Sequence, residues 1–263
     1  MRELKTAEMK KIEFDMLNDI HKYCVENDIV YFLWGGTLLG AVRHNGFIPW
    51  DDDIDIAMPR KDYIRFMNEY HSERYKAYSC ETSDEYPYCF GKVIDTYTTK
   101  IEPIRCKIKM GVDVDVFPID DFYESCLTKR NVNKRWRNIY LWQLMVVKTE
   151  GKNIFKNIIK AAIRMTYSFA KMDGNKIACK INKLASESNG SKEKMLFADS
   201  NIRKPLLING DWIDKMTVHQ FESGEFFIPV GYDALLRACY GDYMQLPPEE
   251  KRVTHHSFKA YQD

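Results

Sequence analysis

The segment that decides the fold is GGTLLGAVRHNGFIPWDDDIDIAM, residues 35–58. It opens with two glycines, and aspartates occupy four of the five positions from 51 to 55. The alternation of polar and apolar residues over 53–58 predicts a β-strand with one face in the core. Carboxylates on such a strand are costly unless a positive charge compensates for them. The segment therefore predicts a buried strand whose acidic side chains meet a cation.

The sequence on both sides of this segment predicts an α/β domain. Residues 6–27 have apolar side chains at helical spacing, and Thr6 is the expected N-cap. Residues 30–34, VYFLW, predict a buried strand that leads directly into a Gly-Gly turn. Other elements follow from the same patterns: helices at 37–43, 60–70 and 230–241, and strands at 53–58, 88–95 and 111–120.

The charge of the chain is balanced overall but unevenly distributed. The 263 residues carry a net charge of +1, which predicts no general attraction to nucleic acid. Residues 129–183 contain 14 lysines and arginines against only Glu150 and Asp173, and their pattern is mostly helical. We therefore expect a single α/β domain with a core (1–127), a basic helical insertion (128–200) and a C-terminal part that completes the site (201–263).

Cysteine usage and the N-terminus indicate a cytoplasmic protein. The seven cysteines are odd in number and contain no CxxC pair, which favours reduced thiols over a disulfide framework. Zinc binding by Cys80, Cys89 and Cys106 is disfavoured because their spacing fits no standard motif. The charged, amphipathic N-terminus does not resemble a signal peptide, and the longest apolar run, 139–147, is too short to span a bilayer.

Four aspartates predict a metal site. Residues two apart on a strand point the same way, so Asp53 and Asp55 project together, as do Asp113 and Asp115. If the two strands are neighbours, carboxylates converge and repel one another. A divalent cation, Mg²⁺ or Mn²⁺, resolves the repulsion. Two such ions about 4 Å apart would suit phosphoryl transfer.

The glycine pair supplies a second feature of a phosphate site. Gly35 and Gly36 allow close backbone approach, the N–H groups of the following helix point outward, and Thr37 adds a hydroxyl. Arg43 can neutralise further phosphate charge. Taken singly, each feature has a purely structural alternative: a Gly-Gly pair is usually only a turn, and acids on an edge strand are often solvated. The order of the features is more specific than any one of them.

The chain resembles a known family at three places. WGGTLLGAVRHNGFIPWDDDIDIAMPRKDY, residues 34–63, resembles the signature of the LicD family of phosphocholine transferases. The resemblance continues at VDVFPID, residues 114–120, and at YDALLRACYGDYMQLPPEEKRVTHH, residues 232–256. It implies a nucleotidyltransferase fold, with a mixed β-sheet core flanked by helices. It also implies transfer of phosphocholine from CDP-choline to a hydroxyl of a teichoic acid, lipopolysaccharide or capsule precursor.

The resemblance assigns roles to particular residues. Asp53 and Asp55 match the metal-binding pair, and Asp115 matches a third carboxylate that binds metal or takes the proton from the acceptor hydroxyl. Asp113 competes with Asp115 for that role. The residues expected at the nucleotide and its phosphates are Gly35, Gly36, Thr37, Arg43, Lys92, Arg252 and His255. For Lys92, Arg252 and His255, an ordinary surface role is the alternative.

Two further expectations concern partners. Choline is recognised by aromatic faces, and Trp34 and Trp50 flank the motifs, although a core role is favoured for both. The basic residues 129–183 can contact an anionic membrane at the inner face of the cytoplasmic membrane, which would suit a lipid-linked or polymeric glycan acceptor. The alternative is an ordinary helix that packs on the domain.

Rival functions remain open from the sequence. Transfer of ribitol or glycerol phosphate, as in relatives that resemble fukutin, would use the same acids, and so would nucleotidyl transfer from an NTP. A catalytically silent scaffold that binds polymer or membrane is the non-enzymatic alternative.

Overall fold

A computed structural model describes residues 1–121, 128–148, 154–186, 193–196, 206–254 and 258–263. The helices are α1 (Thr6–Glu26), α2 (Gly35–His44), α3 (Arg60–Glu69), α4 (Lys129–Val146), α5 (Ile154–Phe169), α6 (Gly174–Ser186) and α7 (Tyr232–Tyr240). The strands are β1 (Arg2–Glu3), β2 (Phe32–Leu33), β3 (Asp55–Pro59), β4 (Tyr75–Tyr78), β5 (Gly91–Asp95), β6 (Thr98–Ile101), β7 (Asp113–Asp121), β8 (Glu193–Leu196), β9 (Leu206–Asn209), β10 (Met216–Phe221), β11 (Gly224–Pro229) and β12 (Lys259–Gln262). The α/β class predicted from the sequence is confirmed.

The central sheet is mixed and has the order β2-β3-β7-β5-β4. Strands β3 and β7 are parallel, whereas β2 with β3, β7 with β5 and β5 with β4 are antiparallel. Strand β7 is long enough to pair with β5 near its start and with β8 near its end, and β8 in turn pairs with β9. The parallel pair places the starts of β3 and β7 side by side, and both starts carry aspartates.

Two smaller sheets complete the described fold. Strands β1, β12 and β6 form one, which joins the two ends of the chain to the middle. The antiparallel hairpin of β10 and β11 forms the other. The last strand, β12, therefore pairs with the first strand, β1. The segment before β12 returns towards the central sheet, where Arg252 and Thr254 contact Trp50.

Helix α1 covers the central sheet with an apolar face. Met16, Leu17 and Ile20 on that face are fully buried, because apolar residues recur every three or four positions. Helix α3 is fixed at its first residue, where the Arg60 guanidinium donates two hydrogen bonds of 2.7 Å to Asp120 on β7. Such a bidentate pair gives both charge and geometry.

Helix α6 connects the basic helices to the domain. The Asn175 side-chain amide donates to the backbone carbonyls of Cys80, Ser83 and Tyr86, at 2.9, 2.7 and 2.9 Å. Apolar side chains of the same helix, Ile177 among them, join a second hydrophobic cluster with Tyr86. The predicted basic insertion, 128–200, begins directly after one segment outside the described residues and ends within another. The division of the chain into three parts therefore stays a prediction.

Several element boundaries differ from those expected. Lys5 rather than Thr6 is the N-cap of α1, and its N–H donates to the Glu8 carboxylate at 2.9 Å. Gly35 and Gly36 do not form a separate turn, because α2 begins at Gly35 itself. Strand β3 begins at Asp55 and not at Asp53, so the two acids are not on one regular strand.

The described cysteines are all free thiols: Cys24, Cys80, Cys89, Cys106, Cys179 and Cys239. No helix in the described residues is both long enough and apolar enough to cross a membrane.

Candidate active site

Asp55 and Asp115 are direct neighbours across the parallel pair. They are in register as Cα partners of β3 and β7, and the Asp115 N–H donates to the carbonyl of Ile54 at 2.9 Å. Paired strands lie about 4.8 Å apart, so the side chains of Asp55 and Asp115 are adjacent. The condition stated in the sequence analysis, that the two acidic strands are neighbours, is met. The register favours Asp115 over Asp113 as the partner of Asp55.

The three aspartates before β3 form a cluster. One carboxylate oxygen each from Asp51, Asp52 and Asp53 lies within 4.8 Å of the other two. Asp52 is buried, while Asp51 and Asp53 are partly exposed. The sequence analysis singled out Asp53 and Asp55, and the structure adds the two preceding acids to the same place.

The glycines at the start of α2 are required by these carboxylates. A Cβ on Gly35 would lie 2.9 Å from the Asp55 Oδ2 atom, and Gly35 has a positive φ of 54°. A Cβ on Gly36 would lie 2.5 Å from the Asp51 Oδ2 atom. Because these distances are shorter than normal contacts, the glycines leave the space in which the acids reach the helix N-terminus. The N-terminus of α2 thereby stabilises negative charge at this point.

Backbone hydrogen bonds fix the position of Asp55. Its N–H donates to the Thr37 hydroxyl at 2.8 Å, and its carbonyl accepts from the Trp34 N–H at 2.9 Å. Thr37, which was expected to contact phosphate, is buried and holds the strand against α2. Trp34 is buried in the core, in agreement with the core interpretation of this residue.

Lys92 lies behind Asp115 and not at the surface. Its ammonium, on β5, forms ion pairs with Asp115 and, at 3.3 Å, with Asp113. Lys100 pairs with Asp113 at 2.8 Å. Burial lowers the pKa of Lys92. The negative charges of Asp113 and Asp115 raise this pKa by more than burial lowers it, so the pKa lies well above its ordinary value. Lys92 is therefore charged, and besides these acids its ammonium lies over the rings of Tyr88 and Phe90, at 5.2 and 5.5 Å from their centres.

Asp115 and Asp113 differ in electrostatic environment. Burial raises the pKa of the Asp115 carboxyl to about 6. The positive charge of Lys92 opposes this rise, and the negative charge of Asp113 adds to it. Burial also disfavours the charged form of Asp113, but Lys100 and Lys92 outweigh it and lower its pKa. Asp113 thus lies between two lysines, although its buried Oδ2 atom has no hydrogen-bond partner among the described residues, whereas Asp115 lies between that network and Asp55.

Glu13 is a residue of this region that the sequence analysis missed. It lies on the buried face of α1, and its Oε2 atom has no hydrogen-bond partner. Burial raises the pKa of Glu13 well above its ordinary value; Lys100 opposes this, whereas Asp113, Asp53 and Asp52 add to it. The signal in the sequence was an acid at a position that belongs to the apolar stripe of α1.

The donor set fits a hard divalent cation. Every side chain of the cluster offers carboxylate oxygens, which Mg²⁺ and Mn²⁺ prefer. A cation would compensate for two features of this region. The Oε2 atom of Glu13 is buried without a hydrogen-bond partner among the described residues, and the oxygens of Asp51–Asp53 approach one another closely. Asp53, Asp55 and Asp115 are the residues that we would assign to it.

A cleft of about 750 Å³ opens between α2 and the C-terminal segment. Its walls come from α2, from Trp50 and from the C-terminal segment: Leu39, Arg43, Ile48, Trp50, Tyr240, Asp242, Tyr243, Gln245, Leu246, Pro247, Pro248, Glu250, Lys251 and Val253. Trp50, which precedes Asp51 in the chain, is the lining residue nearest in sequence to the carboxylate cluster. The rings and carboxylates of the cleft are suited to a cationic organic group.

Arg43 and Arg252, which the sequence analysis assigned to the nucleotide site, hold the C-terminal segment against α2 and Trp50. Arg43 donates to the carbonyl of Tyr243 at 2.7 Å and lines the cleft. The Arg252 guanidinium lies over the Trp50 ring, 5.7 Å from its centre, and donates to the Pro247 carbonyl at 2.8 Å. His255 falls outside the described residues, so its expected role stays a prediction.

Replacing Gly36 by alanine separates the role of the site from the stability of the fold. We expect Gly36→Ala to keep or slightly raise the melting temperature, because alanine favours a helix by at most about 1 kcal/mol over glycine. The new Cβ displaces the Asp51 carboxylate, so we expect turnover to fall by about tenfold or more. Kinetics and thermal unfolding measure the two effects.

The control for this prediction is an Asp51→Ala background. There the displaced carboxylate is already missing, so adding Gly36→Ala is expected to cause no further loss of turnover. An equal loss in both backgrounds would contradict the contact between Gly36 and Asp51 as the cause.

Known proteins resemble this chain, one of them over almost its whole length. A sequence profile of the family described as "LicD/FKTN/FKRP, nucleotidyltransferase domain" matches residues 28–155. The chain is 30% identical over 268 aligned residues to the "Lipopolysaccharide cholinephosphotransferase LicD" of Haemophilus influenzae, and the match covers 99% of each chain. Uncharacterised proteins of Rickettsia typhi and Rickettsia prowazekii are each 30% identical over 48% and 42% of this chain, which corresponds to 40% and 42% of theirs.

Together with the full-length match, the α/β fold and its carboxylate site define the chain as an enzyme of the transferase class. The profile match covers the central sheet and all four clustered aspartates. The chain belongs to the LicD family.

Proposed function

We propose that this enzyme transfers phosphocholine from CDP-choline to a hydroxyl of a cell-surface glycan precursor. The observation that carries the proposal is the in-register pair of Asp55 and Asp115 beside the Asp51–Asp53 cluster. The name of the Haemophilus relative, a lipopolysaccharide cholinephosphotransferase, supports both the choline phosphate and a glycan acceptor.

The reaction forms one phosphorus–oxygen bond and breaks another. The acceptor oxygen attacks the phosphorus that carries choline, and CMP leaves with the bridging oxygen. A divalent cation bound by Asp53, Asp55 and Asp115 supplies compensation for the charge that develops on the phosphates. Asp115 either completes that metal site or accepts the proton of the attacking hydroxyl.

The remaining residues position these groups. Gly35 and Gly36 let the acids and the phosphates approach the N-terminus of α2, whose N–H groups favour negative charge. Lys92 holds Asp115 in place, although the sequence analysis expected it at a phosphate. Arg43 and Arg252 shape the cleft, in which Trp50 and the neighbouring carboxylates are suited to the choline ammonium.

The acceptor and the place of the reaction belong to the same proposal. We expect a lipid-linked or polymeric precursor of lipopolysaccharide, teichoic acid or capsule as the acceptor. We place the reaction in the cytoplasm, at the inner face of the cytoplasmic membrane, in agreement with the free thiols of the described cysteines.

Calorimetric titration with candidate donors tests the proposal. CDP-choline, CDP-ribitol, CDP-glycerol and CTP are titrated into the protein with Mg²⁺, without metal, and into the Asp53→Asn variant. We expect CDP-choline alone to bind tightly, and this binding to be lost without metal and in the variant. Preference for another CDP-alcohol would change the transferred group and keep the mechanism. Binding of none of the four by folded protein would refute the proposal and favour a silent scaffold.

A further inference from the structure

Helix α5 presents its apolar side chains to the outside of the described structure. Phe155, Ile158, Ile159, Met165 and Phe169 are between 45% and 81% exposed. They lie on one side of the helix, because their spacing follows helical turns of three and four residues, with Ala162 between them. A helix in a globular domain normally buries such a stripe, so this stripe indicates a partner.

The charge around the stripe indicates what kind of partner it is. Residues 154–169 contain Lys156, Lys160 and Arg164 and no acid, and residues 129–146 contain five basic residues and no acid. A basic segment with exposed apolar side chains complements an anionic, apolar surface. A second copy of this chain would bring like charge against the same segment, so self-association is disfavoured.

Lys160 and Arg164, one helical turn apart, line a cavity of about 370 Å³ between α4 and α5, together with Tyr140 and Trp142. The Tyr140 ring stacks on Trp136, with 5.6 Å between the ring centres, and both rings are partly exposed. With 3.6 residues per turn, these two cations lie on the side of α5 opposite the stripe. Apolar and basic residues therefore occupy opposite sides of the helix, which is the arrangement of a helix that lies on an anionic membrane surface.

We infer that α5 docks on the surface of an anionic phospholipid bilayer. The stripe of Phe155, Ile158 and Phe169 enters the interface, while the basic residues on the other side of α5, Lys160 and Arg164 among them, supply the positive charge that attracts anionic headgroups. This binding goes beyond the transfer reaction and does not depend on it. It would hold the enzyme where lipid-linked acceptors are exposed.

Co-sedimentation of the full chain with vesicles tests the inference. We expect binding to vesicles that contain phosphatidylglycerol and none to pure phosphatidylcholine, and we expect high salt to weaken the binding. Ile158→Glu is expected to lower vesicle affinity by about tenfold or more, because it places an acid on the stripe. Val25→Glu, an equal change at an exposed position of α1, is the matched control and is expected to leave affinity unchanged.

A second pair of variants tests the charges without touching the stripe. Lys160→Gln with Arg164→Gln is expected to lower affinity by about tenfold or more. Lys11→Gln with Lys22→Gln removes the same charge from exposed positions of α1 and is expected to have little effect. Thermal unfolding confirms that each variant is folded, and the charge pair keeps the test valid if Ile158→Glu is not.

Two results would overturn the inference. One is the absence of binding to anionic vesicles at low salt by the folded chain, and the other is equal binding by the α5 variants and their controls. If light scattering instead showed dimers that Ile158→Glu dissociates, with no vesicle binding, the stripe would be an interface between two copies.

Discussion

Asp55→Asn and Asp53→Asn are each expected to lower turnover by at least about 10³-fold while the protein stays folded. A metal-binding carboxylate supports several kcal/mol of transition-state stabilisation, and each 1.36 kcal/mol corresponds to tenfold in rate. The amide keeps the size of the side chain but removes the charge. Because like charges crowd this cluster, the metal-free variants are expected to be as stable as the unmodified protein or more stable.

Release of CMP from CDP-choline in the presence of acceptor measures the activity, and thermal unfolding measures the fold. Asp214→Asn, an equal change at an exposed position, is the control and is expected to be fully active. A folded Asp55→Asn protein with more than a tenth of the normal rate would exclude Asp55 from the metal site.

Lys92→Met is expected to lower the free energy of unfolding by about 3–5 kcal/mol, since it leaves buried acids without their cation. The Lys92 side chain is only 5% exposed and contacts Asp113 and Asp115. Lys100 still compensates Asp113, so the main cost falls on Asp115. Urea denaturation in the absence of metal measures the effect.

Two comparisons make this second prediction specific. Lys76→Met changes an exposed lysine on the neighbouring strand β4 and is expected to have little effect. Adding Asp115→Asn to Lys92→Met removes the uncompensated charge and is expected to recover part of the lost stability. If Lys92→Met alone were as stable as the unmodified protein, the ion pairs would not be what keeps Asp115 in the core.

The sequence predicted the central pair of the site because strand periodicity is a local property. The spacing of Asp53 and Asp55, and of Asp113 and Asp115, predicted two acidic strands, although Asp53 precedes β3 and only Asp55 lies on it. Their adjacency, which was only a condition in the sequence, is set by long-range pairing in the folded sheet. Period-two patterns predict which way side chains point but not which strands pair.

Residues whose role depends on distant neighbours were harder to assign. Lys92 was expected at a phosphate because lysine is usually exposed, whereas the fold turns it towards two carboxylates 21 and 23 positions away in sequence. Glu13 was overlooked because an acid in an amphipathic helix is usually solvated. Thr37 was assigned to phosphate as a hydroxyl donor, and the fold gives its oxygen a further role as acceptor from the Asp55 N–H.

The parallel pairing of β3 and β7 also determines when the site can form. Parallel strands need a crossover, and here the crossover contains α3, β4, β5 and β6. Asp55 and Asp115 therefore meet only after the intervening chain has closed a loop, a step whose entropic cost makes non-local strand pairing slow. Partly folded chains do not hold these carboxylates together. Cation binding by Asp55 and Asp115 is thus expected to mark a late stage of folding, and to distinguish folded molecules from partly folded ones.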